Sequence, residues 1–469
     1  MRAAERQLAS RMPRRMDASP LSAVTSLSPP KKQGRLRPAS WAIALMLTLC
    51  SVGLAGSLSR REGDDLRALY AQATPHDAVT RLQREIDSDQ VRLAYDEARG
   101  YLPAVLRALR IPVSSQVLVF SKTSIQKELI SPEAPRALYF NDQAYVGYVP
   151  GSKSLEVAAL DPQWGPVYYV LLQRPKDKPV FFRTVDACLE CHAPRTSPFL
   201  PQNLMRSVYA GPDGTPYPEA KSYVTTDASP LPERWGGWYV TGRHGSQRHM
   251  GNAFATLQGH EVSLDREQGA NRTTLRGLVD TAPFLTPHSD LVALMVLAHQ
   301  THLQNVIIQA HYATDRALRA QEAVAHNVGS AKPALTEETL GAIRSACEPL
   351  VQALLFAGEA PLKAPVSGTS GFTAQFAAQG PRDRRQRTLR EPDLDRRLFR
   401  YPCSFTIYSE AFDALPDPAK DYIYGRLWEI LSGRDRSEPF ATLSAADRKA
   451  IREILLDTKP AFAAHRPRR

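Results

Sequence analysis

From Asp64 to Arg110, apolar positions recur with a helical beat. Val79, Leu82, Ile86 and Leu93, then Leu102 and Leu106, stand among charged residues at a rough 3.6-residue spacing, which predicts helix. The period then changes. Short runs rich in β-branched and aromatic residues follow: Gln116–Phe120, Ala137–Phe140, Ala144–Val149, Ser154–Leu160, Val167–Gln173 and Val180–Arg183. Pro150-Gly151 and Asp161-Pro162 punctuate them, so the pattern predicts a small antiparallel sheet. Arg206–Ala210, the Pro212-Asp213-Gly214 turn and the segment to Thr225 predict a further hairpin.

Ser289 to about Ala323 reads as one long helix whose first turns are apolar nearly all round, which places that end in a core. No Asp, Glu, Lys or Arg occurs from Leu291 to Thr314, so a membrane span is an alternative; three histidines and several amides favour a buried helix of a soluble fold. Near the C-terminus, Pro418 can open a helix that ends at Gly433. Ser444 and Asp447 have capping-box spacing for another, and Ile423, Leu427 and Ile430 are expected to bury against Ile451, Ile454 and Leu455. Together these patterns predict an α+β fold: an antiparallel sheet domain with surrounding helices, plus a helical C-terminal region. The expected divisions are 1–60 (basic N-terminus and signal peptide or anchor), 61–270 (α+β domain), 271–357 (helical), 358–395 and 396–469 (helical). Residues 358–395 pass from Ala, Gly, Ser, Thr and Pro into an arginine run, which predicts a flexible linker.

Charge changes the picture mainly at the N-terminus. The 469-residue chain has a formal net charge of +11. Its first 39 residues hold nine basic and two acidic side chains, leaving only +4 for the rest. An uncharged stretch from Ala39 to Ser59 follows, closed by small residues. That order describes a signal peptide, and its length also admits an uncleaved inner-membrane anchor. Export to the periplasm is therefore expected, and nucleic-acid binding is not. Between Arg382 and Arg400, eight arginines face four acids; a solvated face or a dock for an acidic partner are the alternatives.

The candidate chemistry lies at Cys188-Leu189-Glu190-Cys191-His192, which spells C-x-x-C-H, the attachment sequence for c-type haem. Each thiol can add to a vinyl group, and the histidine then stands under the iron as proximal ligand. A zinc site would need a second ligand pair, whereas Cys347 and Cys403 are isolated. A thioredoxin-like pair would sit in a βαβ pattern, and none is visible. Cys347 and Cys403 could pair in an oxidising compartment or both stay free. There is no P-loop, dinucleotide fingerprint or G-x-S-x-G, and His260 to Glu267 reads as a solvated loop.

After the motif, the densest aromatic stretch is Arg234-Trp235-Gly236-Gly237-Trp238-Tyr239-Val240. Trp235 and Trp238 are candidates for a haem wall or for ordinary core. His249 is the first candidate for a distal iron ligand and Met250 an alternative, with an open sixth position also considered. His299 on the long helix is a weaker alternative. His299 and His302 lack an obvious carboxylate partner nearby for a metal site.

The segments SQVLVFSKTS, PRALYFND, CLECH, RSVY, RWGGWYVTG, HMGN, SDLVALMVLAHQ and RYPCSFTIYSEAFDALP together resemble a family of exported, uncharacterised bacterial monohaem proteins described as cytochrome c-domain or haem-binding proteins. The resemblance spans roughly Val113 to Thr458. It implies one covalent haem c at Cys188 and Cys191 with His192 on the iron, and it brings no known reaction. The order of sheet and motif is also similar to that of small exported haem sensor domains with a PAS-like sheet. Three functions follow as expectations: a periplasmic electron carrier with an unknown redox partner, a haem-based sensor or accessory subunit, and a peroxidase-type enzyme. The first two need no catalytic residues.

Overall fold

A seven-stranded antiparallel sheet divides the chain's apolar residues into two cores. The computed structural model describes residues 65–193, 199–327 and 334–466. The N-terminal basic and apolar segments, and with them the expected signal peptide or anchor, lie outside these residues.

Residues 65–72 are helical, and helix α1 (Ala78–Asp87) follows. Asp77 caps it by accepting from the N–H groups of Val79 and Thr80, satisfying two of its orphan donors. The other carboxylate oxygen accepts from the Tyr169 hydroxyl at 2.5 Å, which ties the cap to the sheet. Helix α2 (Leu102–Ala108) buries Leu102, Val105 and Leu106. The helical reading of Asp64–Arg110 therefore holds in pieces, interrupted over residues 88–101.

Strands β1 (Val117–Val119), β2 (Arg136–Phe140), β3 (Ala144–Tyr148), β4 (Ser154–Asp161), β5 (Gly165–Leu172) and β6 (Phe181–Arg183) run as a meander. The tight β4–β5 hairpin has a local cause. Asp161 accepts from the N–H groups of Gln163 and Trp164, and Gly165 takes a positive φ of 76°. A short pair, β7 (Arg206–Ser207) with β8 (Tyr223–Val224), forms the expected hairpin. Strand β9 (Trp238–Tyr239) then pairs with β1, so the sheet order is β6-β5-β4-β3-β2-β1-β9.

Side chains alternate across a strand, and the cores obey that period. Leu118, Ala137, Tyr139, Val146, Leu155, Val157 and Tyr169 face α1 and α2. Val117, Val119, Phe140 and Tyr145 face the opposite way, onto the long helix and the C-terminal helices. The long helix expected from Ser289 to about Ala323 spans Leu291–Asn327. It is long and apolar enough to cross a membrane, but 94% of its most apolar window is buried inside the protein itself. Its amides explain the polarity: Gln300 donates to the Tyr145 hydroxyl, and that hydroxyl donates to Gln304 at 2.5 Å.

Cys347, on the helix Glu337–Leu354, and Cys403 are both buried and both free. The C-terminal helices Asp417–Leu431 and Ala445–Thr458 pack together, and the capping box at Ser444 and Asp447 is present in both directions.

Residues 358–395 differ from the expected flexible linker. Val366, Phe372, Phe376 and Leu389 are buried in the second core, and Ser367–Gly368 pairs with Gly242–Arg243. Small residues here permit close approach instead of flexibility. A Cβ on Gly368 would overlap the Asp290 carboxylate, whose Oδ2 accepts from the N–H groups of Thr369 and Ser370 while Oδ1 caps the long helix at Val292 and Ala293. Part of the arginine run turns inward: Arg387 pairs with Asp383 and Glu453, Arg390 with Asp142, and Arg397 with Asp447, whereas Arg384, Arg385, Arg396 and Arg400 stay exposed. Glu261–Leu264, expected as part of a loop, forms a hairpin with Ala255–Gln258.

Candidate functional site

Strand β6 leads through Thr184 into a seven-residue helix, Asp186–His192, which carries the whole C-x-x-C-H element. Its anchor is Leu189, fully buried. Cys188 is half-buried and Cys191 exposed. Residues three apart on a helix lie on neighbouring positions of one surface; Cys191 faces outward, whereas Cys188 packs against the apolar core that also holds Leu189. The Cys188 thiol lies 3.0 Å from the Thr184 hydroxyl, and burial raises its pKa above the usual thiol value.

His192 closes the helix with its ring against Tyr168 of β5, centroids 4.6 Å apart. Its Nδ1 lies 2.7 Å from the carbonyl oxygen of Gln202. A carbonyl only accepts, so Nδ1 carries the proton and Nε2 keeps the lone pair. Among the described residues no hydrogen-bond partner meets Nε2. Burial lowers the pKa of this ring, which keeps it neutral near pH 7. Metal-ligating histidines commonly show a neutral imidazole whose Nδ1–H is fixed by a carbonyl, and so does buried His244, whose Nδ1 lies 2.7 Å from the Gln247 carbonyl.

The Gln202 carbonyl is itself held. The Tyr168 hydroxyl donates to it at 3.0 Å, and the Gln202 N–H returns a bond to the His192 carbonyl at 2.9 Å. Next along the chain, the Asn305 side chain on the long helix grips the Asn203 backbone through both N–H and C=O. Tyr168, Gln202 and Asn305 carried no signal in the sequence, because each owes its place to a partner far away in the chain.

The candidate distal residues sit among other partners. His249 is buried; its Nδ1 accepts from the Gly251 N–H at 3.0 Å and its ring meets Trp235 and His244. Burial and the neighbouring His244 push its pKa down to about 3. Met250 is fully buried and takes a sulfur contact of 3.6 Å from the Ser207 hydroxyl. Trp235 is fully buried at a positive φ of 66°, a conformation rare for a bulky residue. Its indole N–H has no partner among the described residues. Trp238 donates its indole N–H to the Arg206 carbonyl at 2.7 Å. Both tryptophans belong to the core that faces the long helix.

His299 is fully buried on the long helix, with both ring nitrogens engaged. Nδ1 lies 3.0 Å from the Asp227 carboxylate and Nε2 2.8 Å from the Ser404 hydroxyl. His302 also reaches Asp227, at 3.4 Å. The carboxylate that sequence inspection did not find near these histidines is thus supplied by a distant loop. Desolvation alone would raise the Asp227 pKa; His299 and His302 outweigh it and hold the carboxyl well below its usual range. No group of three or more His, Cys, Asp or Glu side chains with metal-binding geometry occurs among the described residues.

Comparisons with protein-family models, with curated proteins and with solved structures gave no match to this chain.

Proposed function

We propose that the chain is a monohaem c-type cytochrome that carries single electrons, exported to the periplasm and tethered there if its apolar N-terminal segment is retained. Cys188 and Cys191 would hold the haem through thioether links, with His192 Nε2 toward the iron. One-electron exchange between ferric and ferrous states is the chemistry haem supplies. The chain's own residues keep His192 neutral, fix its proton on Nδ1 and hold its ring against Tyr168. The single observation that carries this reading is the 2.7 Å bond from His192 to the Gln202 carbonyl. Among the described residues no partner meets Nε2, and the same short helix carries both cysteines of the motif.

A second reading, a haem-based sensor or accessory subunit, is favoured by one specific observation. His249, Met250 and His299 are each engaged by partners away from the motif helix. A sixth position left without a protein ligand would admit a small diatomic molecule.

Intact mass and visible spectra of protein produced together with haem-attachment machinery test both readings. A mass increase of one haem, lost in Cys188→Ala and Cys191→Ala, is expected. A mass without that increase overturns both. A low-spin six-coordinate spectrum in both oxidation states that changes in His249→Ala or Met250→Ala supports the carrier. A five-coordinate ferrous spectrum that responds to carbon monoxide supports the sensor.

A further inference from the structure

The sheet face beside His192 carries an unusual surface. Paired residues of antiparallel strands share a face, and Gly147, Glu156, Val170 and Phe182 form one such row across β3, β4, β5 and β6. The adjacent row holds Ala158 and Tyr168, and Tyr168 carries the His192 ring. The long helix covers the Tyr145 end of this face. The β6 end stays open: Val170 and Leu172 are only half-buried, and Phe182 is 51% exposed. A groove lined by Leu171, Leu172, Pro179, Val180 and Phe182, with Arg174 and Lys176 also in its wall, borders it. An exposed phenylalanine on an edge strand, two residues before the Thr184 that leads into the motif helix, is an apolar surface without a cover among the described residues.

A charged pair stands beside this surface. Arg136 and Glu156 form an ion pair at 2.5 Å, both mostly buried. Glu156 is further braced by the Ser124 hydroxyl and the Gln126 amide. The Arg136 guanidinium lies flat over Gly147, where any Cβ would collide with it. Its Nε is buried without a partner among the described residues. Glu156 therefore holds the arginine in place while one donor stays unused. Glu156 stands diagonally across from Tyr168 on the same sheet face, and Tyr168 carries the His192 ring, so the pair lies near the motif.

Resting on the haem reading above, we propose that Val170 and Phe182 form the porphyrin floor and that Arg136, positioned by Glu156, receives a haem propionate. An anionic carboxylate would satisfy the unused guanidinium donor with a charge-assisted bond. This differs from a wall built by Trp235 and Trp238, which lie in the core.

The test uses the haem-bearing protein, with haem content fixed by intact mass. Removing the positive charge with Arg136→Gln should lower the midpoint potential, since a cation near the haem favours the reduced state. Glu156→Gln should raise it, and Arg136→Lys should stay closer to the parent than Arg136→Gln. Hydroxyl-radical footprinting should label Phe182 in a haem-free Cys188→Ala, Cys191→Ala protein and spare it in the haem-bearing one. Potentials unmoved by both charge variants, or equal labelling of Phe182 in the two proteins, overturn the proposal. A parent protein lacking haem by mass overturns the underlying reading as well, and is distinguished from those results by the mass alone.

Discussion

Asn305 and Asn203 grip one another across 102 positions of chain. The Asn305 amide donates to the Asn203 carbonyl at 2.7 Å, and its oxygen accepts from the Asn203 N–H at 3.1 Å. This pair of hydrogen bonds between a side chain and a peptide fixes the residue that follows Gln202, whose carbonyl in turn meets His192. The long helix is thereby linked to the motif through residues 202 and 203.

Asn305→Leu removes both bonds and leaves the Asn203 peptide groups buried and unpaired. A loss of about 1–3 kcal/mol in unfolding free energy is expected, measured by urea denaturation. In haem-bearing protein the iron–histidine stretching band should shift, because the acceptor on Nδ1 is no longer held. A stability loss with an unchanged band would separate Asn305 from His192.

His249 makes stability depend on pH. Its folded pKa of about 3 lies below the unfolded value near 6.5. The group's contribution is therefore fully present above about pH 6.5. It is lost as pH falls from there toward about 3. Glu359, raised by burial to about 7, slopes the opposite way between its unfolded value near 4.3 and about 7. The informative quantity is thus the difference between parent and His249→Gln. That difference should shrink steadily on acidification below pH 6.5, and a constant difference would refute the assignment.

Asp227→Ala leaves the His299 Nδ1 proton unanswered inside the core. The loss of one partner in a buried pair costs about 3–5 kcal/mol, so thermal unfolding should move clearly downward. In the parent the carboxyl pKa is held low, which adds stability above the unfolded value near 4 and loses it below. Asp227→Ala should accordingly flatten the acid limb of the stability profile.

Gly368→Val places a branched side chain against the Asp290 carboxylate. Overpacking of this kind costs about 1–3 kcal/mol. The expected result is lower stability together with faster proteolysis between residues 358 and 395. An unchanged melting curve would show that this segment is held by something other than Asp290.

Much of the fold was legible because it is written in local periods. Alternating Val, Tyr and Leu marked the strands from Val117 to Arg183, and the Ser444–Asp447 box marked a helix start that is present as read. The segment from Gly358 to Asp395 was misleading. Small residues signal looseness only when nothing approaches them, and here Asp290 does. The solvated reading of the arginine run holds for Arg384, Arg385, Arg396 and Arg400, which are exposed, but not for Arg387, Arg390 and Arg397, whose partners Glu453, Asp142 and Asp447 lie in other elements.

By itself the sequence determined the order and spacing of two cysteines and a histidine, because five contiguous residues fix that spacing in any fold; that they ride on a helix is a property of the structure. It also determined which strand positions face opposite ways, since the period of two is a property of the backbone. Only the tertiary structure decided that Gln202 meets His192, that Tyr168 supports its ring and that Asp227 answers His299. Those pairings join positions far apart in the chain, and a hydrogen bond depends on distance and angle, which folding alone supplies.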